Sequence, residues 1–169
     1  MKEALTSKKH VEHCRCSDRA GFDARCLALR HGPTVIHKAL TIWQPYAEMI
    51  IRREKLVENR TWETKYRGTL YIHAGKSRAD WDQEMDDRRY PNAEFGAIVG
   101  VCRLVDCVRS ADAIAGKLDE VYPWISTHMH VYGPWCWVLE GAGPIRPTVP
   151  WKGAQGLWDI SNTDLESAA

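Results

Sequence analysis

The chain has no uninterrupted apolar stretch near the ~20 residues that a membrane-spanning helix requires, and no apolar segment of a signal peptide at its N-terminal end. Both absences lead to the expectation of a cytoplasmic protein that makes no membrane contact. Internal repeats are absent, as is any linker long enough to separate two domains. Paired Cys-x-x-Cys knuckles are missing too, so Cys14, Cys16 and Cys26, with His10, His13 and His31, fit no common zinc site. Neither a metal nor another cofactor is expected. There is also no excess of one charge: the formal net charge is +1, which by itself indicates no partner.

What is present suits one folded unit. The chain has 169 residues, 44% hydrophobic and 27% charged, an ordinary balance for a globular domain with a real core. Cys102, Cys107 and Cys136 fall in apolar, strand-like runs where a free thiol serves as a small core residue, so reduced thiols are expected. Residues 1–35 show no sustained period; Met1 to Thr34 carries seven Lys/Arg against four Asp/Glu and half of the cysteines. They read as a basic, Cys/His-containing extension that packs on the domain or helps to hold a polyanion. Residues 36–162 form the domain, and residues 163–169 are a tail expected to fray.

The organising stretch is Ala39 to Lys76. An apolar strand, about Lys38 to Trp43, meets Gln44-Pro45, where proline at the first helical position sacrifices no hydrogen bond. The helix is expected to reach about Arg53, with Tyr46, Met49 and Ile50 toward the core and Glu48, Arg52 and Arg53 outward. Its free N-terminal amides, beside Trp43, Gln44 and Pro45, offer a phosphate or carboxylate seat. Leu56 to Trp62 reads as a strand, so Glu58, Arg60 and Trp62 share a face. In a binding site Arg60 and Lys55 hold phosphate or a base edge, Glu58 accepts from a base amino group or orients Arg60, and Trp62 stacks. The plainer alternative is a Glu58–Arg60 surface pair with Trp62 in the core. Tyr66-Arg67-Gly68 turns into a strand over Thr69 to Ala74, where His73 is either a hydrogen-bonded core histidine or a general acid or base.

Further along, Ser77-x-x-Asp80 reads as a helix N-cap, with Trp81 and Met85 as the buried face of a helix to about Arg89. Phe95 to Val108 is a long central strand and Ser110 to Leu118 a short helix. Asp119 to Gly133 is a loop rich in Tyr122, Trp124, His128, His130 and Tyr132. Trp135 to Glu140, Val149 to Lys152 and Leu157 to Ile160 are short strands set off by glycine and proline, the punctuation of a small closed or nearly closed sheet. The fold class is α+β.

Several of these motifs together resemble the ASCH domain family, a branch of the PUA-like superfamily. The family opening appears as Leu40-Thr-Ile-Trp-Gln-Pro-Tyr-Ala47. The signature Gly-x-Lys-x-x-Glu-x-Arg appears as Arg53-Glu-Lys55-Leu-Val-Glu58-Asn-Arg60, lacking only the glycine. Tyr66-Arg67-Gly68 with Ile72-His73-Ala74, Gly133-Pro134-Trp135 with Trp137-Val138-Leu139, and Lys152-Gly153-Ala154-Gln155-Gly156-Leu157-Trp158 extend the match to about Lys38 to Ile160. The resemblance implies a PUA-like mixed β-barrel with short flanking helices, and ligand-facing Lys55, Glu58 and Arg60. It also implies RNA or a related ligand. One bacterial branch hydrolyses the amide of acetylated cytidine; its lysine falls at Lys55, but its threonine nucleophile falls at Glu58, and a carboxylate cannot replace that hydroxyl. Other members are reported as nucleases, for which Lys55, Glu58, Arg60 and His73 would stabilise or protonate a phosphodiester transition state.

Charge is unevenly spread: Arg52 to Arg78 has a local +5 and Ala79 to Glu120 a local −5, so a polyanion meets one favourable face. The expectation is nucleic-acid binding, RNA favoured over DNA, or a single-stranded or modified nucleotide, in a basic cleft. The candidate ligand-binding set is Trp43, Gln44, Pro45, Lys55, Glu58, Arg60, Trp62, Arg67, His73 and Lys76. A hydrolase using Lys55, Glu58 and His73, and a module for peptides or small ligands, are the alternatives. No oligomeric state is implied.

Overall fold

The structure, a computed structural model, describes residues 34–168. The N-terminal extension, with His10, His13, Cys14, Cys16, Cys26 and His31, lies outside the described residues. The elements in order are β1 (Ile36–Ile42), α1 (Tyr46–Ile51), β2 (Val57–Arg60), β3 (Gly68–Ala74), α2 (Gln83–Arg89) and β4 (Ala97–Arg109). They continue with α3 (Ser110–Ile114), a 3-10 turn (Ile125–Thr127), β5 (Trp135–Pro150), β6 (Leu157–Ser161) and α4 (Asn162–Ala168). The fold is a mixed α+β arrangement of one six-stranded sheet and short helices. Among the described residues no helix is long and apolar enough to cross a membrane.

The strand order is β2-β5-β4-β3-β1-β6. β1 and β3 run parallel because α1 and β2 carry the chain back between them, and the other neighbours are antiparallel. A period of two then gives the sheet its two faces. Leu40, Ile42, Leu70, Ile72, Leu104, Trp137 and Leu139 point to one side, where Ala47, Ile50 and Ile51 of α1 cover them. Ala39, Tyr71, Ile98, Val149 and Ile160 point to the other, against Leu165 of α4. Val57, Val108, Ile125, Val131 and Val138 form a third cluster that anchors the long loop before β5. Burying a side chain such as Ile50 contributes about 1.5–3 kcal/mol, so this short helix is held by packing rather than by its own propensity.

β2 and β6 are the sheet edges, each with one neighbour, so no strand ladder closes the expected barrel among the described residues. The sheet is rolled all the same. Arg60 on β2 donates Nη2 to Thr41 O on β1 at 3.1 Å, although three strands separate β2 from β1 in the sheet order. Register shifts along the β4–β5 ladder supply the extra twist. The gap bridged by Arg60 is a seam, and the candidate site lies in it.

Elsewhere the structure corrects the sequence expectations for local reasons. α1 stops at Ile51 because Arg53 adopts a left-handed φ of 62°. Glu48, expected outside, is buried and held by Arg52 Nε at 2.9 Å. β2 stops at Arg60, so Trp62 leaves the strand and packs edge-on against Trp137, ring centroids 4.6 Å apart. Asp82, not Ser77 or Asp80, caps α2: its Oδ1 accepts from Met85 N at 2.8 Å while Asp86 Oδ2 accepts from Asp82 N at 2.9 Å. This phase turns Asp86 and Tyr90 inward and leaves Met85 67% exposed. Gly141, Gly143, Pro144 and Pro147 do not divide the last part of the sheet, because β5 absorbs them as register shifts. The tail expected to fray is helical: Ser161 Oγ accepts from Asp164 N at 3.0 Å and Leu165 is buried.

Candidate functional site

A cavity of about 240 Å³ opens in the seam, lined by Thr41, Ile42, Trp43, Tyr46, Lys55, Glu58, Asn59, Arg60, Asp80 and Tyr132. Its back wall is built by the short link between α1 and β2. Glu54 N and Lys55 N both donate to Met49 O, at 2.8 and 3.1 Å, and the left-handed Arg53 donates Nε to Ala142 O at 2.8 Å. Leu56 N then donates to His128 Nε2 at 3.0 Å, and Leu139 N to Leu56 O at 2.9 Å. Pinned on both sides, the link turns Lys55 inward.

Lys55 is 2% exposed, and an ammonium so deep needs acceptors. Nζ donates to Val57 O at 2.6 Å and to Glu58 Oε2 at 2.7 Å, and stands 5.9 Å from the centre of the Tyr46 ring. Glu58 is 7% exposed; its other oxygen, Oε1, lies 3.2 Å from Arg60 Nη2. One carboxylate thus joins two cations in the order Lys55, Glu58, Arg60. Such a chain fixes geometry better than it adds stability, because desolvation offsets most of the Coulombic gain. Asn59 Nδ2 and Arg60 Nε are buried without a partner among the described residues. The lining carries two cations and two carboxylates, so the cleft is charge-balanced rather than basic.

Beside this wall, burial holds the pKa of His128 below the usual histidine value, and His130 and Lys55 push the same way. As the acceptor of Leu56 N–H, His128 is neutral with its proton on Nδ1. His130 lies against it, ring centroids 5.5 Å apart, and burial lowers its pKa as well.

The remaining sequence candidates are scattered. Trp43, 48% exposed, stands at the cleft. Gln44 is buried and internally engaged: Oε1 accepts from Glu48 N at 3.0 Å and Nε2 donates to Glu94 O at 2.9 Å, so the start of α1 has no open anion seat there. Pro45 only precedes the helix. Arg67 donates to Thr64 O, Tyr66 O and Asp106 Oδ1, and Lys76 is exposed with its stem against Gly96; neither lines the cleft, nor does Trp62. His73 sits on the face opposite Leu70 and Ile72, with Nε2 3.0 Å from Trp151 O and its ring edge-on to Trp158. Burial lowers its pKa against the raising effect of the Trp151 carbonyl. The catalytic grouping of Lys55, Glu58 and His73 is therefore not assembled in one place.

Sequence reasoning missed Thr41, Ile42, Tyr46, Asn59, Asp80 and Tyr132, having assigned Tyr46 to the core. Tyr132 had a signal, as a member of the aromatic loop. Asp80 was masked by its resemblance to a cap, and Asn59 by strand alternation, which assigns it to the face away from Glu58 and Arg60.

Comparison with known proteins bears on this same region. The human and mouse proteins called Activating signal cointegrator 1 are 26% and 24% identical over 136 and 135 residues, each match covering 73% of this chain. The chain spans 22% of the length of these relatives. Crystal structures of ASCH from Zymomonas mobilis and of a point mutant of it align with TM-scores of 0.46 and 0.48 at 14% identity. They cover 76% and 77% of this chain and 90% and 94% of their own. The model of the ASCH domain matches residues 40–141, more than half of the chain and all of the cleft's lining, and the chain therefore belongs to the ASCH domain family.

Proposed function

We propose that the cleft takes one unpaired base of an RNA strand, or of another single-stranded or modified nucleic acid, while the phosphates stay outside. The observation that carries this reading is a small hollow with aromatic and hydrogen-bonding walls together: Trp43, Tyr46 and Tyr132 with Lys55, Glu58, Asn59 and Arg60. Its volume of about 240 Å³ falls below the ~300–1,000 Å³ usual for small-molecule sites, which suits one base rather than a stacked run. Sequence-reading proteins address single-stranded RNA in this way, stacking splayed bases on aromatic rings and bonding their edges. The exposed Arg52, Arg53, Lys65, Lys76 and Arg78 of the basic stretch attract the backbone, so affinity falls with salt. In the same reading a PUA-like barrel closes at the seam around its guest, with Arg60 in place of a strand ladder.

The test is a fluorescence-anisotropy titration of a short mixed-sequence RNA and its DNA counterpart against wild type, Trp43→Ala and Arg60→Ala. One lost stacking contact is worth ~1–3 kcal/mol, so Trp43→Ala should weaken binding by about fivefold to a hundredfold, with RNA bound more tightly than DNA by wild type. Wild-type affinity in both variants refutes the site.

A further inference from the structure

We infer that the base this cleft selects is guanine and that Asp80 is the residue that selects it; the inference rests on the base-binding reading above. The unused donors and acceptors of the lining point to it. On the Lys55–Glu58–Arg60 wall, both Glu58 oxygens are engaged, whereas Lys55 uses two of its three N–H groups. Arg60 makes its bonds through Nη2, and its Nη1 has no partner among the described residues. What that wall has left to offer is donors.

Asp80 lines the same cavity from the loop before α2, and its carboxylate meets no hydrogen-bond or ion-pair partner among the described residues. A carboxylate only accepts. A matching guest therefore presents acceptors to Lys55 and Arg60 and two adjacent donors to Asp80. Guanine does both: O6 and N7 accept along one edge, in the pattern that Lys and Arg recognise, and N1–H and the 2-amino group donate along the next. Adenine would set its N1 lone pair against the carboxylate, cytosine its N3, and uracil a carbonyl on each side of its single N–H. The balanced charge of the lining agrees, since a cavity with two cations and two carboxylates accepts an uncharged base more readily than a phosphate. The exposed faces of Trp43 and Tyr132 complete the hollow. The bonds to Asp80 use the Watson–Crick edge, so the guanine has to be unpaired.

The experiment uses oligouridylates with one central base varied among the four, titrated against wild type and Asp80→Asn, with free guanosine and adenosine monophosphates as competitors. Asp80 is exposed and unbonded, so the variant keeps the fold, which a matched thermal melt checks. Wild type should prefer the guanine strand by about tenfold or more. An amide sets a donor of its own against one of guanine's two, so Asp80→Asn should lose most of the preference for the guanine strand. Competition by the guanosine nucleotide alone supports the assignment and makes a free nucleotide the source, whereas failure to compete alongside tight guanine-strand binding supports it with the strand as source. Equal wild-type affinity for all four strands, still weakened by Trp43→Ala, overturns guanine selection and leaves base binding standing. No binding by any strand overturns both.

Discussion

Glu58 joins two cations at the back of the cleft, and replacing it with alanine tests whether that wall is truly desolvated. Lys55 Nζ, on a side chain 2% exposed, would keep only Val57 O as a protein acceptor. Removing one partner of a buried ion pair costs about 3–5 kcal/mol, because an uncompensated charge stays behind. Against a typical domain stability of about 5–15 kcal/mol this is a large fraction. With a urea slope of about 1–3 kcal/mol/M, the unfolding midpoint should fall by at least about 1 M. Removing both charges, as Lys55→Met with Glu58→Gln, should recover most of the loss, and the double-mutant cycle should show strong coupling. Arg60 is 24% exposed on its side chain, so Arg60→Ala should cost far less stability while weakening ligand binding. A Glu58→Ala penalty below about 1 kcal/mol, the level of a solvated pair, would refute the reasoning.

Three further outcomes follow from the geometry. A Cβ at Gly100 would run into Ile51 Cγ2 and come within 2.6 Å of Gly143 O, so Gly100→Ala should push α1 off the sheet and cost about 1–3 kcal/mol by urea denaturation. At Arg53, with φ of 62°, glycine relieves about 1 kcal/mol of backbone strain but loses the bond to Ala142 O; Arg53→Gly should stay within about 1 kcal/mol of wild type, whereas Arg53→Val should fall clearly below both in the same assay. His37, His73, His128 and His130 all have pKa values lowered by burial, so below about pH 6.5 the unfolded chain takes up protons that the fold resists. Stability should be complete above that pH and fall as the pH drops through the folded values, with no alkaline loss from these groups. Urea midpoints at neutral and mildly acidic pH check this, and His128→Gln should shallow the slope.

Much of the scaffold is legible in the chain because period-two alternation carries it. Leu70 and Ile72 face one way and Tyr71 and His73 the other, as their spacing requires. The triad is legible too, since the three- and two-residue spacings put both Lys55 and Arg60 within reach of the Glu58 carboxylate. What alternation does not carry is depth. Nothing local distinguishes the buried Glu48 from the exposed Met85, because each is decided by which cap sets the helix phase and what lies across from it. Arg53 shows another limit: the place where the family motif has glycine keeps the left-handed backbone without it, because Ala142 O holds the arginine there. Asp80 and Tyr132 come to the cleft from loops about fifty residues apart, and only the roll of the sheet brings them together.

The most direct measurement is amide chemical-shift mapping by NMR as a short RNA with one central guanine is titrated into the full chain. The largest changes should fall on Trp43, Asn59, Asp80 and Tyr132, which line the seam. Changes confined to α2 or to the turn at Ile125–Thr127, with those four residues unmoved, would contradict base binding in the seam.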